Sequence, residues 1–243
     1  YVVRHGQGYT SFEHQRDGLA STLLLFVPPG DPVKVFHLTL RNTSAVRRRC
    51  SVTLYVDWVL GESRSQSCLH VVTKREPATG ALLAHNAFRQ QFPDRTAFLD
   101  LSPGDQRTVT GDRSEFIGRN GTLGHPAALE QKSLSDRTGA GFDPCGAIRV
   151  VVVLEPSEER TLIGLLGEAA SAGDARALVE RYRDEHAVRD ALERVRAFWN
   201  GLLGTLVVRT PDRPMDLMLN RWLLYQALAC RIWGRSAFYQ SSG

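Results

Sequence analysis

Between residues 50 and 60 the side chains alternate without interruption: Val52, Leu54, Val56, Trp58 and Leu60 fall on one face, Thr53, Tyr55, Asp57 and Val59 on the other. A period of two is what a pleated strand with one buried face imposes, so the fold must contain a sheet packed on an apolar layer. Similar β-branched and aromatic runs recur at 33–40, 69–73, 81–88, 96–101, 148–154 and 160–167. They are separated by turn chemistry such as Pro28-Pro29-Gly30-Asp31-Pro32. The polar Arg41-Asn42-Thr43-Ser44 predicts a turn that pairs 33–40 with 50–60 as antiparallel neighbours. The unbroken Val150-Val151-Val152-Val153-Leu154 predicts a central strand covered on both faces. Many short strands of this kind predict an antiparallel sandwich.

Residues 111–146 interrupt that rhythm with Gly, Asp, Ser and Arg. Their aromatic and apolar punctuation, Phe116 and Phe142 included, favours an ordered loop over a disordered one. The glycines neither follow a strand nor open a helix, so no phosphate-binding loop is read here. Beyond residue 167 the period becomes helical, at 174–182 and 185–203. The second helix carries Val188, Ala191, Leu192, Val195, Phe198, Trp199 and Leu202 on one stripe, with Arg189, Asp190, Glu193, Arg194 and Arg196 opposite. A last helix at 215–233 is apolar nearly all round, which predicts burial on several sides. Pro214 suits its first turn and Asp212 its cap. Trp58, Trp199, Trp222 and Trp233 read as core. The order is thus a sandwich, a helical linker and the opening helix of an all-α unit. The chain opens at Tyr1 in a strand-like run without an initiator methionine and stops in a Gly/Ser-rich loop. Both ends are therefore expected to be cut, and the last helix is expected to have neighbours elsewhere.

A chain of 243 residues with 42% apolar content suffices for one large domain, or for one domain and part of another. Its formal net charge is +4, and Lys34, Lys74 and Lys132 are the only lysines. The arginines are scattered, with one cluster at Arg47-Arg48-Arg49, which fits codon composition better than a nucleic-acid footprint. No nucleic-acid partner is expected. Cys50, Cys68, Cys145 and Cys230 show no C-x-x-C and no His pair at metal-ligand spacing. They read as buried or half-buried thiols in a reducing compartment, without a disulfide framework or a metal site. No stretch reaches 18 consecutive apolar residues and no leader pattern is read, so no direct membrane contact by this segment is expected.

Particular residues go further. They are Tyr1-Val2-Val3-Arg4-His5-Gly6-Gln7-Gly8-Tyr9-Thr10, Phe12-Glu13-His14, the Asn120-Gly121 loop, Gly141-Phe142-Asp143-Pro144-Cys145, and above all Trp233-Gly234-Arg235-Ser236-Ala237-Phe238-Tyr239-Gln240-Ser241-Ser242-Gly243. Together they resemble the inverting glycoside phosphorylases, a family with cellobiose and chitobiose phosphorylases, and most of all the phosphorylase-like module of cyclic β-1,2-glucan synthases. The resemblance spans nearly the whole chain and is most specific in the end loop. It implies a β-supersandwich at 1–168 lacking its N-terminal part, a helical linker at 169–204, and the truncated start of an (α/α)6 barrel at 205–243. It also implies a glycosyltransferase chemistry in which phosphate attacks the anomeric carbon while a carboxylic acid in the barrel protonates the leaving oxygen. Inorganic phosphate would be the co-substrate, a β-linked glucan oligosaccharide the ligand, and no cofactor is implied. A homodimer through the β-domain and a place on the cytoplasmic face of the bacterial inner membrane are further implications. The family's catalytic residues are expected beyond Gly243. No catalytic residue is assigned in this chain, and the fragment alone is expected to be inactive.

Arg235, Tyr239 and Gln240 are the candidate substrate-binding residues, because planar aromatics and forked polar groups suit pyranose recognition and loops above a scaffold carry function. The competing reading is simple barrel packing. Arg4, His5, Tyr9 and Glu13 read as a hydrogen-bonded turn between strands. Asp143 before Pro144 reads as a turn start. Asp57 and Glu155 are not paired by spacing, so no general acid–base pair is read from them. The alternative to an enzyme fragment is a non-catalytic carbohydrate-binding or structural β-sandwich, and the barrel-like last helix favours the enzyme.

Overall fold

The structure, a computed structural model, describes residues 1–86, 88 and 92–233. Its strands are β1 (Val2–His5), β2 (Tyr9–Arg16), β3 (Leu19–Phe26), β4 (Val33–Asn42), β5 (Arg48–Asp57), β6 (Val72–Arg75), β7 (Leu82–His85), β8 (Thr96–Ser102), β9 (Asp105–Asp112), β10 (Pro144–Leu154) and β11 (Glu159–Ala169). An eight-stranded sheet runs β1-β2-β3-β4-β11-β8-β7-β6, and a three-stranded sheet runs β5-β10-β9. Neighbours pair antiparallel throughout. The predicted antiparallel sandwich is therefore present. Between the sheets lie Leu40, Leu82, Leu99, Leu101, Ile148, Val150, Leu154 and Leu162, with Val52, Leu54, Val56 and Trp58 of the alternating stretch facing them. The opposite face of the large sheet, with Val33, Val35, Leu83, Phe98, Ile163 and Leu165, is covered by helices.

The predicted pairing of 33–40 with 50–60 does not form. β4 pairs with β3 and β11, whereas β5 pairs with β10 in the other sheet. The chain crosses over at buried Asn42, whose Nδ2 donates to the carbonyls of Val46 at 2.7 Å and of Leu154 and Glu155 at 3.1 Å. Its Oδ1 accepts from the Ser44 amide at 3.0 Å. One buried amide thus supplies the hydrogen bonds that a hairpin ladder would have supplied, and the polar stretch read as a turn is a crossover. Strands β2, β3 and β9 are not among the predicted runs, whereas β1 falls in the strand-like run at Tyr1. The run at 69–73 shrinks because helix α1 (Arg64–Ser67) and a 3-10 turn at Cys68–His70 precede β6, and in the run at 81–88 the described strand is Leu82–His85.

The segment between β9 and β10 is ordered, as predicted. Helix α2 (Arg113–Ile117) and a 3-10 turn at Ala127–Glu130 pack Phe116, Ile117, Ala128 and Leu134 onto Cys145, Ala147 and Tyr55. This layer covers the outer face of the small sheet, so β10 is buried on both sides, as its Val-rich run requires. Arg149 of β10 is 2% exposed and donates to the Gln131 carbonyl at 2.6 Å and the Ala128 carbonyl at 2.5 Å. Burial lowers its pKa, and neutral carbonyls hold it.

After β11 come α3 (Ala172–Tyr182) and α4 (Glu185–Leu203). Ser171 caps the first through the Asp174 amide at 3.1 Å, and Asp184 caps the second through the His186 amide at 3.0 Å. The buried stripe of α4 is Val188, Ala191, Leu192, Val195, Trp199 and Leu203. Phe198 and Leu202, predicted on that stripe, are 41% and 38% exposed. Each sits one residue, or about 100° of rotation, away from the Val195–Trp199–Leu203 line. Between the helices, Arg183 donates Nε to Asp100 Oδ2 at 2.9 Å and Nη2 to Asp100 Oδ1 at 2.8 Å and to the Thr79 carbonyl at 2.6 Å. Arg107 pairs with the same fully buried carboxylate. Tyr182 donates to Asp31 at 2.6 Å, and burial together with that bond pushes its phenol up to about 12. The helical pair is thus tied to the sheet at two points.

The last helical segment, 213–233, alternates α and wider π turns: Arg213–Leu217, Met218–Trp222, Leu223–Gln226 and Ala227–Trp233. Leu224, Tyr225, Leu228 and Ala229 pack against the helix-side core. The predicted all-round burial is not seen: Met215, Leu217, Met218 and Leu223 are exposed, and Trp222, read as core, is 50% exposed. The segment touches the fold along one face, and among the described residues nothing covers the others. Asp212 stands at the cap position without a side-chain cap bond; Asp216 instead accepts from the Thr210 amide at 2.8 Å. Cys230 is exposed, contrary to its reading as a buried or half-buried thiol.

Candidate functional site

The β1–β2 hairpin turns through Gly6-Gln7-Gly8, closed by the Gly6 amide donating to the Tyr9 carbonyl at 2.9 Å. Gly8 has φ +81°, and a Cβ there would lie 2.3 Å from Trp199 Nε1 and 2.7 Å from Val195 Cγ1. Only glycine permits both that backbone and that approach to α4. The tip also meets the last helical segment. The Gly8 amide donates to the Tyr225 hydroxyl at 3.1 Å, and Arg221 Nη1 donates to Gln7 Oε1 and Asn200 Oδ1, both at 2.8 Å. Trp199 and Tyr225 meet edge to face with centroids 4.6 Å apart, and the Arg196 guanidinium lies 5.2 Å from the centre of the Tyr9 ring. Three segments remote in sequence therefore converge on one junction.

Two cavities flank it. One, of about 590 Å³, is lined by Gln7, Arg196, Asn200, Arg221, Trp222 and Gln226 among others. The second, of about 740 Å³, is more apolar, with Phe12, Leu25, Val27, Pro28 and Phe198. His5, Tyr9, Thr10, Trp199 and Tyr225 border both. The first side can offer aromatic faces, guanidinium forks and amides together, the group set of a polar-ligand site.

Of the residues singled out from sequence, Arg235, Tyr239 and Gln240 lie outside the described residues. Arg4, His5, Tyr9 and Glu13 do not share a turn: Arg4 and His5 belong to β1, Tyr9 and Glu13 to β2, and the turn is confined to the three residues between the strands. Arg4 and Glu13 pair across the strands on the exposed side. His5 and Tyr9 line the cavities, with His5 Nδ1 3.2 Å from Thr10 Oγ1. Asp57 and Asp143, unrelated by spacing, come together around Arg64 and Arg113, which bridge them. Tyr55 donates to Asp57 at 2.6 Å. Two guanidiniums neutralise two carboxylates, so this cluster holds surface elements together and is no acid–base pair. Glu155 pairs with Arg47 at 3.0 Å. Among the described residues no three metal-ligating side chains converge and no helix is long and apolar enough to cross a membrane.

Sequence reasoning missed Gln7, Arg196, Asn200, Arg221 and Tyr225 as partners. A signal existed. Arg196, Trp199 and Asn200 repeat at i, i+3 and i+4, and Arg221 and Tyr225 at i and i+4, the spacing that gathers side chains on one helix face.

An antiparallel two-sheet sandwich locked through a glycine hairpin to helices that open a second, helical unit defines a sandwich-plus-helical-unit protein. The pattern "Glycosyl hydrolase 94, supersandwich domain" matches residues 1–185, and "Glycosyl hydrolase 94 superfamily, catalytic domain" matches residues 198–243. The chain belongs to the glycosyl hydrolase 94 family, the glycoside phosphorylase family that its sequence resembles. It is 37% identical over 244 residues to the cyclic beta-(1,2)-glucan synthase of Rhizobium meliloti, covering 100% of this chain and 8% of that protein. It is 26% identical to the N,N'-diacetylchitobiose phosphorylase of Vibrio proteolyticus, covering 100% of this chain and 30% of that enzyme. It is 28% identical to the solabiose phosphorylase of Paenibacillus borealis, covering 97% and 31%. The chain thus spans less than a third of each of these relatives.

Proposed function

We propose that this chain is the supersandwich and the opening of the catalytic unit of a glycosyltransferase acting on β-linked glucans, an inverting phosphorylase or a cyclic glucan synthase. In this reading residues 1–168 form the supersandwich, 169–204 the linker and 205–243 the start of an (α/α)6 barrel. Phosphate, as co-substrate, attacks the anomeric carbon with inversion while the glycosidic C–O bond breaks, and the leaving oxygen departs on the other saccharide with a proton from a donor elsewhere in the parent protein. Arg235, Tyr239 and Gln240, in the loop after the last helix, take the sugar at its mouth. A homodimer through the β-domain and a location at the cytoplasmic face of the inner membrane complete the proposal.

The observation that carries this reading is the junction at Gly8, Trp199 and Tyr225. It makes the hairpin tip and the last helix one wall, so that the sandwich and the opening of the helical unit are held together. A free-standing binding module has no use for such a lock. The test is incubation with β-1,2- and β-1,4-glucosides and inorganic phosphate, with detection of glucose 1-phosphate. The 243-residue chain should form none and its parent protein should. Product from the chain alone overturns the division of labour, and a parent inert on every β-glucoside overturns the enzymatic reading.

A further inference from the structure

The cavity beside the hairpin tip has a one-sided charge. The charged side chains lining it and its apolar neighbour are Arg196, Arg221 and Lys34, and neither cavity contains an Asp or Glu. Arg221 is held by the amide oxygens of Gln7 and Asn200, and no carboxylate pairs with it among the described residues. Arg196 stands one helical turn before Asn200, on the same face of α4, and its carboxylate partner, Glu193 at 2.7 Å, does not line the cavity. Two guanidiniums thus line one space whose wall contains no Asp or Glu, with Arg196 paired to Glu193 from outside it and Arg221 held by neutral amides. That is a site poised for an oxyanion, because a planar guanidinium offers a paired fork to phosphate or carboxylate oxygens. The volume of about 590 Å³ falls in the range of about 300–1,000 Å³ usual for small-molecule sites. Trp222, half exposed, presents an aromatic face of the kind a pyranose ring stacks on, and Gln226 adds an amide for hydroxyl groups. A bare anion needs none of these.

We propose that this cavity binds an oligosaccharide bearing an anionic group, a phosphate or a carboxylate, with the anion on Arg196 and Arg221 and a sugar ring against Trp222. The site is formed by the hairpin, α4 and the last helix, and does not include the 234–243 loop. The saccharide part rests on the proposed function; the preference for charge rests on the cavity.

Calorimetric titration of the full 243-residue chain tests it with three probes: a β-linked glucose trisaccharide carrying one 6-phosphate, the same trisaccharide unsubstituted, and inorganic phosphate. The phosphorylated sugar should bind about tenfold tighter, or more, than either other probe, and its affinity should fall as salt rises. Arg196→Gln and Arg221→Gln should each abolish that preference, and Trp222→Ala should weaken both sugars. Arg221→Gln also breaks the link to Gln7 and Asn200, whereas Arg196→Gln leaves it whole, so the preference can be tested with the junction intact. Equal binding of charged and neutral sugar, or no binding of either, overturns the proposal. Inorganic phosphate binding as tightly as the phosphorylated sugar overturns the saccharide assignment. Because binding is read without turnover, an inert parent with retained phosphosaccharide binding defeats the proposed function alone, and an active parent whose chain shows no preference defeats this site alone.

Discussion

Gly8 and Tyr225, 217 positions apart, are joined by one hydrogen bond, 3.1 Å from the glycine amide to the tyrosine hydroxyl. The bond fastens the first hairpin to the last helix. Tyr225→Phe keeps the ring against Trp199 and leaves the Gly8 amide without its acceptor, so it should cost about 1 kcal/mol in thermal unfolding. Gly8→Ala should cost more, about 2 kcal/mol or above, because it forces a left-handed backbone on alanine and drives a methyl into the Trp199 ring. Equal stability of the two variants would count against a close-fitting tip.

Asp100 is the buried anchor of the helical pair. Asp100→Asn should lower stability by about 3–5 kcal/mol, because Arg107 and Arg183 lose the charge that compensates theirs. Asp31→Asn, at the partly exposed second tie, should lower it by about 1 kcal/mol. Urea unfolding monitored by tryptophan fluorescence measures both, and a ranking in the opposite order rules out the anchor role.

Asn42→Ala removes the donor shared by three carbonyls at the crossover between sheets. Leaving buried carbonyls unpaired should cost about 2–3 kcal/mol. Asn42→Asp should be no better, since a carboxylate cannot donate to those oxygens. A neutral effect of either change, read from denaturation midpoints, would show that the crossover holds without Asn42.

His37, on β4 facing the start of α4, has its pKa lowered by burial, which the nearby Glu185 carboxylate partly offsets. In the unfolded chain the imidazole titrates near its ordinary value of about 6.5. The unfolded state therefore takes up the proton first as pH falls. The contribution of His37 to stability is complete above about pH 6.5 and is lost as pH drops toward the lower folded value. Unfolding midpoints at about pH 8 and about pH 5 should differ more for the native chain than for His37→Gln. An identical difference in both proteins would remove His37 from the pH response.

Much of the sandwich was legible because burial writes itself into alternation. The face carrying Val52, Leu54 and Val56 is the face that packs, and the Val150–Leu154 run is covered on both sides. Strand partnership was not legible, because period two says which face is buried and nothing about which sheet receives the strand. Asn42 decided that through three long-range carbonyl contacts. Strands β2 and β3 carry mixed, half-buried faces such as those of Ser11, Glu13 and Ser21, so their pattern was faint. The starts of α3 and α4 match the helical periodicity to within two residues. Phe198 and Leu202 show the limit of stripe reading: apolarity placed them inward, while packing chose the line through Trp199. At the junction, the two glycines beside Gln7 were visible, but their partners on α4 and the last helix depend on contacts across the whole chain.

Along β11, Leu162 points into the layer between the sheets and Ile163 into the layer under the helices. One peptide bond therefore joins two cores, and the large sheet works as a party wall with a tenant on each side. A pressure applied to one room is felt in the other through the wall itself. Enlarging Leu162 would tilt the backbone that seats Ile163, and with it the floor on which α3 and α4 rest.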